Sequence, residues 1–193
     1  MRRYITVGID EVGRGPLAGP VIASAVIFPH NVSIVGLADS KQLTAKKREN
    51  FYMIIQEKAL DWAIGRAEVE EIDEINILQA SLLAMQRAVA NLKIIPDLAL
   101  VDGHIAPKLP CKVTPIIRGD ETVPIISAAS IMAKVTRDRE MCEWHQHYPH
   151  YNFINNKGYP TAQHLLAIKQ HGITPIHRRS FAPVANYLAN ENI

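Results

Sequence analysis

The chain has 193 residues, 48% of them hydrophobic and 21% charged, with a formal net charge of +2. That length supports one ordinary domain with a real core, and the composition excludes a disordered chain. No apolar run reaches the roughly 18 residues of a membrane span, the near-neutral charge does not announce a nucleic-acid binder, and the short apolar stretch near the N-terminus runs into Asp10 and Glu11 instead of a signal-peptide pattern, so the chain reads as cytoplasmic.

Residues 3–9 (RYITVGI) and 20–28 (PVIASAVIF) read as buried strands joined by the turn "GRGPLAG", which favours an antiparallel pair. Residues 43–60 read as a helix, with Thr44 as N-cap and Phe51, Ile54, Ile55 and Lys58 at helical spacing. A strand over 61–69 and one or two helices over 70–93 come next, then strands over 97–102 and 112–117. The stretch 123–147 reads as a long helix with an apolar stripe through Ile125, Ala128, Ala129, Met132, Val135 and Cys142. A helix over 161–172 starts at the N-cap Thr161 and stops at Gly172, and 183–192 form a short last helix. This order predicts an α/β fold with a mixed central sheet, antiparallel at its start and flanked by helices. There is no internal repeat or long linker, and Cys111 and Cys142, without a CxxC, read as free thiols.

Acids close three of the apolar runs. Asp10 and Glu11 follow the first strand, Asp102 ends "LALVD", and Asp120 follows "TPIIRG". A buried carboxylate is expensive unless it is paired or holds a cation. Four of them on one rim would repel, and a pair of Mg²⁺ or Mn²⁺ ions, which seek oxygen ligands, would relieve that repulsion and act on a phosphodiester. Each acid taken alone also fits a solvated strand end or a helix cap. The turn offers Gly13, Gly15 and Gly19, either as a tight connection or as a backbone cradle for a sugar or phosphate with Arg14 as its cation. A dinucleotide loop fits poorly, because Ala18 stands where its third glycine belongs, Pro16 lacks an N–H and a strand follows instead of a helix.

In the order "GIDEVGRGPLAGPV", "ADSKQL", "VDG", "RGD", "ISAASIMAKVTRDR" and "KGYPTAQH", the chain resembles ribonuclease HII, the type 2 ribonuclease H, from about residue 5 to about 181. The resemblance implies a ribonuclease H-like fold over 1–193, with about 145–193 as a small helical extension. It implies an endonuclease that hydrolyses RNA in RNA–DNA hybrids and nicks 5′ of single ribonucleotides in duplex DNA, leaving 3′-hydroxyl and 5′-phosphate ends. Asp10, Glu11, Asp102 and Asp120 match the family's four acids, the catalytic ligands of Mn²⁺ or Mg²⁺. Gly13, Arg14 and Gly15 match the GRG motif that reads the ribose 2′-hydroxyl. Tyr159 matches the tyrosine that stacks on the next sugar, a deoxyribose, and Arg14 and Lys41 are expected at phosphates. A 2′-hydroxyl is what marks a ribonucleotide among deoxyribonucleotides. The implied partners are hybrids and ribonucleotide-containing duplexes, and the expected state is a monomer. A non-catalytic nucleic-acid-binding module on the same fold is the alternative.

Other polar residues read two ways. Asp138 is a structural ion-pair member or a further ligand, and Lys134 and Arg137 are phosphate contacts or a solvated face. Ser127 and Ser130 suit bonds to the preceding helical turn. His145, His147 and His150 read as a surface helix end instead of a zinc site. His164 is a phosphate contact or polar surface, "HRR" at 177–179 is a DNA contact or a solvated basic turn, and Trp62 and Trp144 pack.

Overall fold

The computed structural model describes residues 4–30, 32, 34, 36, 37 and 43–191. The apolar runs flanking the glycine turn form β1 (Thr6–Val12) and β2 (Val21–Ile27), antiparallel in the register Val7↔Ile27 to Val12↔Ile22. Helix α1 (Ala45–Lys58) follows, then β3 (Asp61–Ala67), antiparallel to β2. Helix α2 (Val69–Ala90) leads to β4 (Leu98–Asp102), which lies parallel to β1, and β5 (Lys112–Ile116) lies parallel to β4. The sheet order is β3-β2-β1-β4-β5, a mixed sheet with the antiparallel start that the sequence predicts. Next come the short α3 (Gly119–Thr122), the long α4 (Pro124–His147), a 3-10 turn (Pro149–Tyr151), the short α5 (Phe153–Asn156), α6 (Ala162–His171) and α7 (Ala182–Glu191).

Both faces of the sheet are covered, which is why β2 is buried along its whole length. Val21, Ala23, Ala25 and Ile27 join Val7, Ile9, Ala99 and Val101 in a core against Ala80, Ala84 and Ala88 of α2. On the other face Val26 packs with Ala128, Ala129 and Met132 of α4 and with Tyr52 and Ile55 of α1. Alternation along β1 therefore turns Asp10 away from α2 and toward α4. Gly65 lets α2 approach β3 closely, since a Cβ there would lie 2.1 Å from the Ala84 carbonyl oxygen. A third core joins Leu17 and Ala18 of the glycine turn to Met141, Tyr151, Phe153, Ile168, Ile176 and Val184.

The caps are where the sequence places them. Thr44 Oγ1 accepts from Lys47 N–H, Thr161 Oγ1 accepts from His164 N–H, and Gly172 ends α6 at φ +79°. Helix α2 is broken at Asn76 (φ +67°), whose side chain accepts from the amides of Leu78 and Gln79 and so caps the second half. In α1 the buried residues are Tyr52 and Ile55, while Lys58 of the expected stripe is exposed.

Candidate active site

β1 and β4 are parallel neighbours, with Ile9 opposite Val101, so Asp10 and Asp102 emerge at the same edge of the sheet. Glu11 follows in the chain, and α3 brings Asp120 to that edge, where its backbone N–H donates to Asp102 Oδ1 at 3.2 Å. Ser127 of α4 fixes α3 from the other side by donating its hydroxyl to the Asp120 carbonyl. All four acids line one cleft of about 370 Å³, together with Gly13, Arg14, Gly15 and Tyr159. Lys41 of the expected set lies outside the described residues.

The cleft concentrates negative charge in a poorly solvated place. Burial pushes the Asp10 carboxyl well above the usual carboxylate range, and the charges of Glu11 and Asp102 push it further; Ser130 and the Glu11 N–H, at 2.7 Å, pull it back. Glu11 is raised by burial and by Asp102, while Arg14 Nη1, at 3.4 Å from Oε1, opposes the rise. Glu11 Oε2 is buried and has no hydrogen-bond partner among the described residues. Among those residues no three His, Cys, Asp or Glu side chains already form a closed ligand cluster. What the cleft does provide is an all-oxygen donor set with mutual repulsion and an unsatisfied carboxylate oxygen, and this fits a hard divalent cation.

Behind the acids, the glycine turn is clamped by two later segments. Leu17 N–H donates to the Gly158 carbonyl (2.7 Å) and Gly19 N–H to the Ile176 carbonyl (2.8 Å), while Arg178 N–H donates to the Leu17 carbonyl (2.8 Å). Two buried arginines fill the gap. Arg137 donates to the carbonyls of Ala18, Pro20 and Lys157, and Arg178 to those of Gly13, Arg14 and Gly19. Gly13 (φ +96°) has no room for a side chain, as a Cβ would lie 2.4 Å from Arg137 Nε. Tyr159 stands at the cleft mouth with its ring against Gly15, 39% exposed.

The Tyr159 backbone is held by a directional chain. Thr174 N–H donates to His177 Nδ1 (2.9 Å), so the proton of neutral His177 sits on Nε2 and is donated to His164 Nε2 (3.0 Å). His164 then carries its proton on Nδ1 and donates it to the Tyr159 carbonyl (2.9 Å). Both rings are buried and pack on Tyr151 and Phe153. Burial lowers the pKa of both, and for His177 the nearby His164 adds to the drop, which reaches about 3.

A profile for ribonuclease HII matches residues 7–184. A ribonuclease HII from Marinomonas sp. (strain MWYL1) is 59% identical over 185 residues, 95% of this chain and 93% of the relative. The chain belongs to the ribonuclease HII family. The crystal structure of ribonuclease H2 from Pyrococcus horikoshii OT3 superposes with a TM-score of 0.82 at 28% identity, over 97% of this chain and 99% of that one. Bst-RNase HIII, in complex with Mn²⁺, shares the fold at a TM-score of 0.75 and 17% identity, over 97% of this chain and 70% of that one. The fold is thus the ribonuclease H-like one that the motifs imply, and the family's enzymes are hydrolases acting on RNA in RNA–DNA hybrids.

For a ribonuclease HII, several of the residues with two readings resolve in favour of structure. His164, His177, Arg178 and Arg137 are neither solvated nor placed at a phosphate; each is buried and bonded to the turn or to the segments that clamp it. Asp138 pairs with Lys134 at 2.8 Å. Lys134 itself lines the cleft, as does Arg48 of α1, which nothing in the sequence singles out. Ser130 goes beyond helix bonding by reaching Asp10. Trp62 packs edge-on against Tyr52, and Trp144 stacks on Tyr148.

Proposed function

We propose that the chain nicks duplex DNA on the 5′ side of single embedded ribonucleotides, as well as cutting RNA in hybrids, by two-metal-ion hydrolysis that leaves 3′-hydroxyl and 5′-phosphate ends. The observation that carries this reading is that the four acids share one cleft with the GRG turn and Tyr159. Asp10, Glu11, Asp102 and Asp120 would hold Mn²⁺ or Mg²⁺, which suits their oxygen-only chemistry. When bound, such ions stabilise charge at an in-line displacement on phosphorus. Gly13 and Gly15 let the backbone approach the ribose, and Arg14, at the exposed tip of the turn, is placed for a phosphate, the role also expected of Lys41. Tyr159 offers an exposed ring beside Gly15 for the following deoxyribose, where a second 2′-hydroxyl would crowd it.

A binding module without catalysis is disfavoured by the same cleft, because repelling carboxylates would only oppose phosphate. We further propose that residues 1–193 work as one catalytic unit with a helical extension from about 145. The core that joins Leu17 and Ala18 to Phe153, Ile168 and Val184 supports this. Among the described residues no helix is long and apolar enough to cross a membrane, and two free thiols support a cytoplasmic protein. The test is an end-labelled duplex with one ribonucleotide, incubated with Mn²⁺, Mg²⁺ or chelator. A metal-dependent nick 5′ of the ribonucleotide is expected. Binding without a nick in either metal would refute the assignment.

A further inference from the structure

Arg178 is fully buried, and its side chain donates hydrogen bonds to main-chain carbonyls: Gly13 (2.6 Å from Nη2), Arg14 (3.1 Å from Nη1) and Gly19 (2.9 Å from Nε, 2.7 Å from Nη2). Its guanidinium lies over the Phe181 ring at 5.0 Å, which fixes the plane of the fork. A buried arginine that faces carbonyls instead of a carboxylate is an unusual use of a charge. What it touches explains the choice.

In a trans peptide the N–H points opposite to the carbonyl, and the described chain has no cis bond. With the Gly13 and Arg14 carbonyls turned onto Arg178, the amides of Arg14 and Gly15 point away from it. The cleft is lined by the turn and not by Arg178. Neither amide donates to a described residue. A peptide whose carbonyl accepts a charge-assisted hydrogen bond is also polarised, and its N–H becomes a better donor. We propose that Arg178 is a positioning residue for ribose recognition, which orients and polarises the Arg14 and Gly15 amides toward an acceptor such as the 2′-hydroxyl oxygen. The proposal rests on the reading of the GRG turn given above and adds the residue through which that turn is made selective.

Arg178→Lys tests it, because lysine keeps a charge and most of the volume but loses the planar fork. The readout is the ratio of affinities for a duplex with one ribonucleotide and the same duplex in all-DNA form, measured in chelator. Wild type prefers the ribonucleotide duplex. In Arg178→Lys that preference falls by about tenfold, the loss of one charge-assisted bond, while affinity for all-DNA duplex stays within about twofold because the phosphate contacts remain. A general loosening of the fold would weaken both. A preserved preference in a folded Arg178→Lys overturns the role of Arg178 alone. A wild type with no preference overturns it together with the reading of the turn. A second measurement needs no variant: on titration with duplex, the Arg14 and Gly15 amide proton resonances move downfield with the ribonucleotide form and not with all-DNA, and equal movement with both overturns the proposal.

Discussion

Mild acid probes the histidine chain that holds Tyr159. His177 titrates at about 3 in the folded protein against 6.5 when free, chiefly through burial and then through His164. Between those values the unfolded chain binds a proton that the native one refuses, so stability falls as pH drops below 6.5. Each pH unit removes about 1.4 kcal/mol, and from pH 6.5 to pH 5 the loss is about 2 kcal/mol. A neutral replacement such as His177→Gln removes the His177 share of this dependence and leaves that of His164, whose pKa burial also lowers. Asp10 and Glu11 work in the opposite sense, since their raised pKa values favour the native state as pH falls, but they are common to both proteins and cancel in the comparison. The assay is urea unfolding in chelator at pH 6.5, 6.0, 5.5 and 5.0. The wild type should lose about 2 kcal/mol more than His177→Gln over that range. Parallel profiles would show that His177 takes up its proton without disturbing the chain from Thr174 to Tyr159, and the tautomer assignment would be wrong.

Asp10→Asn should lower hydrolysis by about a thousandfold or more, the scale of a lost charge-stabilising interaction in phosphoryl chemistry. In chelator at neutral pH it should also raise the thermal midpoint, because burying an ionised Asp10, and placing it beside Glu11 and Asp102, opposes folding; a lowered midpoint contradicts that cost. Tyr159→Ala should reduce cleavage at an embedded ribonucleotide by about tenfold, a typical stacking contribution, with the melting temperature unchanged because the ring is exposed. Gly65→Ala should cost about 1–3 kcal/mol in chemical denaturation, since its Cβ would meet α2 backbone at Ala84 and Ala88; a neutral result would mean that α2 shifts freely.

Much of the sheet is legible in the sequence because both of its faces are covered, so that β1, β2 and β4 appear as short unbroken apolar runs between turn residues. The Thr44 and Thr161 caps are legible for a local reason, as each satisfies an amide three residues on. The short helices over 119–122 and 153–156 escape notice because four residues complete one turn and carry no period. The four acids are visible as strand ends, but their meeting depends on the parallel pairing of β1 and β4 and on α3, which spacing does not reveal. The "HRR" run shows the limit most sharply. His177 and Arg178 are buried and Arg179 is exposed, although the three are alike in polarity. What buries Arg178 is a set of inward-facing carbonyls on a loop some 160 residues away, such as that of Gly19, 159 positions off, while the His177 ring is buried against Tyr151, Phe153 and His164. Nothing local in the sequence marks those acceptors.

The clamp on the glycine turn has a consequence for how the molecule is made. The bond from Arg178 to the Gly13 carbonyl spans 165 positions, and contacts of that separation form late. A ribosome supplies Arg178 only 165 residues after Gly13. A nascent chain therefore carries Asp10 and Glu11 long before it carries the arginine that orders the glycine turn beside them, and the turn is fixed only once Arg178 has emerged.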